Sequence, residues 1–452
     1  MAVVNGAPIA QVVEAFVALL IVLAFVALVT RRIGLPYAVA LVLVGLVISA
    51  VSPPLHLQVS PQLVLLVLLP GLVFEAAYSL DQEDLVDALA GVLLLAVPGV
   101  LVVAAFVAVV LHLATGLSLS SGFVLGAMVS ATDPASVTAS IRRLRAPVRL
   151  ATVVEGESLL NDGTGIVAFT IAIAATQGHV GAGEAAVQFV AITLGSVAVG
   201  IASGFVLSRV AALIEDHLVE LTLTLLAAYG TYLLADRLGL SGIIATVVAG
   251  VVLGSYGRRV GLSERVQDAI DVVWEFLAFL LTALVFLLIG LATPVSRMAA
   301  VLVPIAWGVV AILVARAGVV YLMLGGASAL AERLTGRERL PLAWLHVMFW
   351  AGLRGAVAVA LALALPADFP DRAELQGITF GIVLFTLLVQ ATSADRVIRW
   401  SGARTTPGPG RMEAAVPEGA DAVEAAGAVE PAHGSRVDAT AGHARAGDPR
   451  AD

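Results

Sequence analysis

The sequence predicts an all-α polytopic membrane protein of about 13 transmembrane helices, and three observations predict it. Hydrophobic residues make up 60% of the chain and charged residues 13%, at a mean hydropathy of +1.01. Soluble domains hold about half and about a quarter. The apolar residues fall in runs of about twenty, the length that crosses a bilayer core, separated by short polar or Gly/Pro breaks. The arginines between these runs alternate in density along the chain. At 452 residues with apolar runs along most of its length, the membrane region is the functional body, and no separate soluble enzyme domain is expected.

The spans fall near 9–30, 33–51, 62–80, 88–113, 119–141, 150–175, 185–209, 218–235, 239–256, 271–292, 299–324, 341–366 and 376–395. The third, fifth and twelfth are the least regular. Cytoplasmic loops carry an excess of basic residues. Loops after even-numbered spans hold only Arg237, Arg297 and Arg372, whereas loops after odd-numbered spans hold runs such as Arg31-Arg32, Arg142 to Arg149, Arg258-Arg259 and Arg333 to Arg339. This places the N-terminus outside and the C-terminus in the cytoplasm, which requires an odd number of spans. The first span has no basic stretch before it and Arg31-Arg32 after it, so it reads as a retained helix and not a cleaved signal peptide. The transmembrane domain covers 1–402. From 403 to 452, Pro, Gly, Ala and acidic residues dominate without periodicity, and a disordered cytoplasmic tail is expected.

Thirteen spans divide as six, a linker and six, so the second block crosses the membrane in the opposite sense to the first. This is the inverted-repeat plan of many secondary transporters. It makes the fifth and twelfth spans equivalent, and both are interrupted at their middles, by Thr132-Asp133-Pro134 and by Gly352-Leu353-Arg354-Gly355. Interruptions in corresponding positions point to a binding site.

Composition removes several function classes. The chain has no cysteine, which excludes thiolate metal sites and disulfides. All 25 basic residues are arginine, attributed to nucleotide bias. The net charge of −8 owes much to acids in the tail. The seven histidines lack metal-ligand spacing, and His346 is expected to be packed. No nucleotide loop, nucleophile elbow or nucleic-acid patch is present, so an ATP-driven pump is disfavoured and no cofactor is expected.

The chemistry-bearing residues lie inside the apolar runs, where charged groups usually mark an ion or proton path. Pro134 lacks an N–H and disfavours helix at Asp133, freeing carbonyls around Ser130 to Thr132 for a cation. Asp133 then sits either at a site or at a solvated proline kink. In the sixth span Ser158 and Asp162 are four apart and share one helix strip, with Glu157 and Asn161 on the adjacent strip. Sodium, a hard cation, prefers oxygen ligands, and the Asp162 carboxylate, Ser158 hydroxyl and Thr132 carbonyl supply them. Asn161 offers a donor and an acceptor to groups at the break. Glu155, nearer the cytoplasmic end, reads as pathway or interface. Arg354 needs a buried acid, for which Glu157 is the candidate. Arg316 is explained by snorkelling or by pairing. Glu75, in Pro70-Gly71-Leu72-Val73-Phe74-Glu75, is a further ion ligand or else marks a shifted helix end with Asp81, Glu83, Asp84 and Asp87. Gly200 and Gly204, like Gly250 and Gly254, have small-xxx-small spacing for close helix approach.

Three segments, Ala131-Thr132-Asp133-Pro134, Glu155-Gly156-Glu157-Ser158-Leu159-Leu160-Asn161-Asp162-Gly163 and Gly352-Leu353-Arg354-Gly355-Ala356, with the softer Phe74-Glu75-Ala76, carry a family pattern in this order. At these residues the chain resembles the monovalent cation/proton antiporters, specifically the electroneutral branch of NhaP-like sodium/proton exchangers, over about residues 10 to 400. The resemblance implies a thirteen-helix homodimer, a mobile core domain with two crossed broken helices, and a second domain making the dimer contact. It implies that Asp162 takes the ion and the proton alternately, that Asp133, Ser158 and the Thr132 carbonyl complete the site, that Glu75 contributes through water, and that Glu157 pairs with Arg354. Electrogenic relatives carry two adjacent acids where Asn161-Asp162 stands here, which implies electroneutral one-for-one exchange.

The resulting expectation is a secondary antiporter, not an enzyme, in the plasma membrane of a bacterial cell. It would exchange sodium or lithium for protons by alternating access and serve pH homeostasis. The alternatives are a potassium/proton antiporter of the same fold, a cation channel and a non-transporting sensor.

Overall fold

The computed structural model describes residues 9–33, 35–51, 60–178, 180–214, 216–261, 264–293, 298–336 and 338–403. The expected tail, apart from Ala403, lies outside the described residues, as do Arg297, Arg337 and Arg404 of the orientation argument.

Among the described residues every regular element is helical: α1 Ile9–Ile33, α2 Tyr37–Val51, α3 Leu63–Tyr78, α4 Gln82–Thr115, α5 Leu119–Ser130, α6 Ala135–Arg143, α7 Val148–Thr176 and α8 Ala182–Ala211. There follow α9 His217–Arg237, α10 Gly242–Val260, α11 Glu264–Ala292, α12 Ala299–Thr335, α13 Leu342–Trp350, α14 Ala356–Ala364 and α15 Arg372–Ser401. Eight of these, α4, α7 to α12 and α15, are long and apolar enough to cross a membrane. Helices α1 to α3 carry shorter apolar stretches. The pairs α5/α6 and α13/α14 are each two halves of one interrupted span.

Local chemistry sets the helix ends. Asp81 caps α4 by accepting from the N–H groups of Glu83 (2.9 Å) and Asp84 (3.1 Å), which satisfies donors that a helix N-terminus leaves orphaned. The fourth span therefore starts at Gln82 and not near residue 88, and Glu83, Asp84 and Asp87 lie in its first turns instead of a loop. Ser118, Asp216 and Ser241 cap α5, α9 and α10 in the same way. Helix α4 ends at Gly116, whose φ of 79° suits a residue without a Cβ.

The helices form two packed groups. One comprises α4, α5/α6, α7, α12, α13/α14 and α15, and the other α2, α3, α8, α9, α10 and α11. Small residues bring helices close within the second group: Gly200 and Gly204 of α8 pack on Val248 and Val252 of α10, and Gly250 and Gly254 lie against Ala77 and Tyr78 of α3. Both sequence spacings are thus used, each against a different neighbour. Without a hydrophobic drive between helices in lipid, such backbone approach supplies the contact.

A cavity of about 1170 Å³ opens between the groups, lined by Tyr37, α3, α10 and α11 on one side and by the α5/α6 break, α7 and the start of α14 on the other. Its charged end carries Asp81, Glu83, Arg142, Arg258 and Arg259. Toward the opposite ends of α3 and α11, beside the first turn of α14, it gives way to apolar packing. There Val64, Val285, Leu288, Ile289, Ala356 and Val359 enclose only about 10 Å³, no more than one water needs.

Candidate functional site

The site begins with two backbone breaks that satisfy each other. Between α5 and α6 the chain runs extended through Ala131 (φ −59°, ψ 137°) and re-enters helix after Pro134, the conformation a residue-plus-proline step dictates. Between α13 and α14 it is open from Ala351 to Gly355. The Asp133 N–H donates to the Leu353 carbonyl at 2.9 Å. In return Arg354 Nη1 donates to the carbonyls of Ser130 (3.1 Å) and Ala131 (3.3 Å). Thr386 of α15 holds the second break by accepting from the Arg354 N–H at 3.0 Å. Unwound backbone is tolerated at membrane depth only where protein or a cavity meets it, and here both do.

The approach is close enough to forbid a side chain at Gly355. A Cβ there would stand 2.6 Å from Asp133 Cβ and 2.9 Å from its Cγ, with Oδ2 nearer still. Gly355→Ala should therefore push Asp133 out of place, at a cost of about 1–3 kcal/mol. A lowered thermal midpoint in detergent together with impaired ion exchange is the expected result. Unchanged values of both would show that the breaks part easily.

Helix α7 supplies the groups facing this crossing. Asn161 is buried and clamps Thr132 twice: its Oδ1 accepts from the Thr132 N–H at 3.1 Å, and its Nδ2 donates to Thr132 Oγ1 at 2.6 Å. An aspartate at 161 would accept the first bond and could not make the second. Thr132 Oγ1 also lies 2.8 Å from Ser158 Oγ. Asp133 accepts at Oδ1 from the Ala135 N–H at 3.1 Å. Asp162 differs from all of these. Its side chain lines the cavity with Thr132, Asp133, Ser158 and Glu75, within electrostatic reach of Asp133 and Arg354. Among the described residues none donates a hydrogen bond to it.

The two strips of α7 thus separate, Ser158 and Asp162 toward the cavity and Glu157 and Asn161 into protein. Glu75 lies in the last turn of α3, which ends at Tyr78, and it lines the cavity with Ser79 Oγ 3.4 Å from its Oε1. Glu155 stands at the charged end, bonded to Arg142 Nη2 at 2.9 Å.

One expected pairing is corrected. Glu157 forms its ion pair with Arg316 of α12 and not with Arg354: Arg316 Nη1 and Nη2 engage both carboxylate oxygens, the latter at 2.9 Å, and Nη2 also donates to the Met348 carbonyl at 2.8 Å. Arg316 is 6% and Glu157 2% exposed, so snorkelling does not describe Arg316. The α5 break draws Arg354 Nη1 to the Ser130 and Ala131 carbonyls, while Arg316 reaches both oxygens of Glu157. Arg316 had only its intramembrane position as a signal. The role of Thr386 had no sequence signal.

Residues 17–400 match the family profile described as "Sodium/hydrogen exchanger, transmembrane". The chain belongs to the sodium/hydrogen exchanger family. It is 37% identical over 372 residues to the Na(+)/H(+) antiporter ApNhaP of Aphanothece halophytica, covering 81% of this chain and 70% of that one. With the Na(+)/H(+) antiporter NhaH of Halobacillus dabanensis it shares 32% identity, over 86% of this chain and 98% of the relative. Its fold is similar to that of the sodium proton antiporter MjNhaP1 from Methanocaldococcus jannaschii, with a TM-score of 0.68, 19% identity and 86% of this chain covered against 98% of that one. In this exchanger-family chain the matched region contains both broken helices, all of α7 and Arg316.

Proposed function

We propose that this exchanger carries sodium or lithium against protons, one for one, by alternating access at the Asp162 carboxylate. The observation that carries the reading is that Asp162 lines the cavity without a donor among the described residues while its polar neighbours are already bonded. A carboxylate left free in this way is open to a cation or a proton, which exclude each other. Asp133, the Ser158 hydroxyl and the Thr132 carbonyl would complete an all-oxygen sodium shell, with Glu75 acting through water. Asn161 adds no titratable charge beside Asp162, so loading one sodium outward and one proton inward moves no net charge. No cofactor is needed, since the ion gradients supply the energy.

On the positive-inside reading of the arginine-rich loops the charged end of the cavity faces the cytoplasm, with the N-terminus outside and the tail of 403–452 inside, in the plasma membrane of a bacterial cell. The apolar contact around Val64, Val285 and Val359 supports reading this conformation as inward-open. Exchange would then require the two helix groups to shift past each other. The family resemblance adds a homodimer through the second group.

The test is a proteoliposome assay with sodium-loaded vesicles diluted into sodium-free buffer and an internal pH dye. Internal acidification is expected, at a rate unchanged when the membrane potential is clamped. A clamp-sensitive rate would overturn electroneutrality. Sodium efflux without proton uptake would indicate a channel, and equal driving by potassium would move the assignment to the potassium/proton antiporter.

A further inference from the structure

The core of the site holds two buried guanidinium groups and one buried glutamate, and their pairing is unequal. Glu157 is engaged at both oxygens by Arg316. Arg354, 1% exposed, has no carboxylate in contact among the described residues. Its Nη1 meets only the Ser130 and Ala131 carbonyls, and its Nε is buried without a hydrogen-bond partner. Those carbonyls belong to the C-terminal end of α5, which offers about half an elementary negative charge. A whole positive charge in the interior is therefore about half answered by what it touches. The residues that follow these two carbonyls, Thr132 and Asp133, line the cavity with Asp162.

We propose that Arg354 is the resident counter-charge of the ion site, balancing the empty Asp162 carboxylate and thereby holding down the affinity of that carboxylate for sodium and for protons alike. The inference rests on the reading of Asp162 as the shared carboxylate. When sodium or a proton neutralises Asp162, Arg354 loses the charge that answered it, so its field opposes both cations. The charged groups within electrostatic reach of Arg354 are Asp162, Glu157 and Arg316, and Asp133 is within reach of Asp162. Of these, Glu157 and Arg316 cancel each other. A carrier gains from this arrangement, because a site that bound sodium too tightly would release it slowly. Arg354 acts through Asp162 and is a positioning and tuning residue, not an ion ligand.

The experiment compares Arg354→Gln with Arg354→Lys in the full-length protein in proteoliposomes, reading sodium-driven proton flux against sodium concentration at alkaline pH. Glutamine keeps an N–H donor for the α5 carbonyls and removes the charge, whereas lysine keeps the charge. Arg354→Gln is expected to lower the sodium KM about ten-fold and to move half-inhibition by acid to higher pH. Arg354→Lys should stay within about two-fold of wild type. A role confined to capping α5 would lower the maximal rate of both variants without moving either KM, and that result overturns the proposal. Should Arg354→Gln yield no folded protein, Thr386→Asp offers Arg354 a carboxylate from its neighbour on α15. A lowered KM then supports the inference, and an unmoved one overturns it. Wild-type vesicles without sodium-driven proton flux would instead sink the antiport reading beneath it, so the two failures are distinguishable.

Discussion

Asp162→Asn is expected to reduce sodium-driven proton exchange to the background of empty vesicles, a loss of at least about two orders of magnitude, while the protein stays folded. Asparagine matches aspartate in shape but neither takes up a proton nor offers a charged ligand. The fold should tolerate the change because no described residue donates a hydrogen bond to Asp162, so no internal bond is broken. Loss of the Asp162 charge leaves buried Arg354 without the charge that answers it, so the thermal midpoint in detergent should fall modestly. The sodium-dependent stabilisation expected of the wild type by mass action should vanish. Near-normal exchange by a folded Asp162→Asn protein would remove this residue from the transport site.

The second large effect is structural. Arg316→Ala leaves Glu157 as an unpaired carboxylate, 2% exposed, and breaking a buried pair from one side costs about 3–5 kcal/mol. Folded yield and thermal midpoint in detergent should fall sharply. Replacing both partners, as in Glu157→Gln with Arg316→Met, should recover most of the loss, because no uncompensated charge remains. Equal destabilisation of the single and double variants would show that the side chains matter for shape and not as a pair. The single change at Arg316 also removes the charge that cancelled Glu157, so the field of Glu157 reaches Arg354 unopposed, without contact. Any sodium exchange that survives in Arg316→Ala should therefore have a lower sodium KM, in the same direction as Arg354→Gln.

Much of the fold was legible from hydropathy alone, since a bilayer admits long apolar helices and little else. The interruptions were legible too, because Pro134 cannot continue a helix hydrogen-bond ladder and Gly352 and Gly355 flank the second one. The start of α4 was misplaced because an aspartate reads as loop in a hydropathy window although Asp81 is a helix cap. The division of α7 into two strips followed from the four-residue repeat, which fixes Ser158 with Asp162 and Glu157 with Asn161 on adjacent faces. Hydrogen-bond capacity marked Asn161 as a partner for the break, without saying which of its atoms would meet Thr132.

By itself the sequence determined the helical membrane architecture, the two breaks and the residues of Asp133, Ser158 and Asp162 as neighbours of a cavity. These follow from periodicity, from proline chemistry and from solvation cost, all of which act within one helix. Tertiary structure alone decided that Glu157 takes Arg316, that Arg354 turns to the carbonyls of Ser130 and Ala131, and that Asp162 has no donor among the described residues. The choice between Arg316 and Arg354 was beyond the sequence because both are permanent cations at membrane depth. What separates them is which one the α5 break supplies with free carbonyl oxygens, and that depends on how α12 and the α13/α14 break pack against α7.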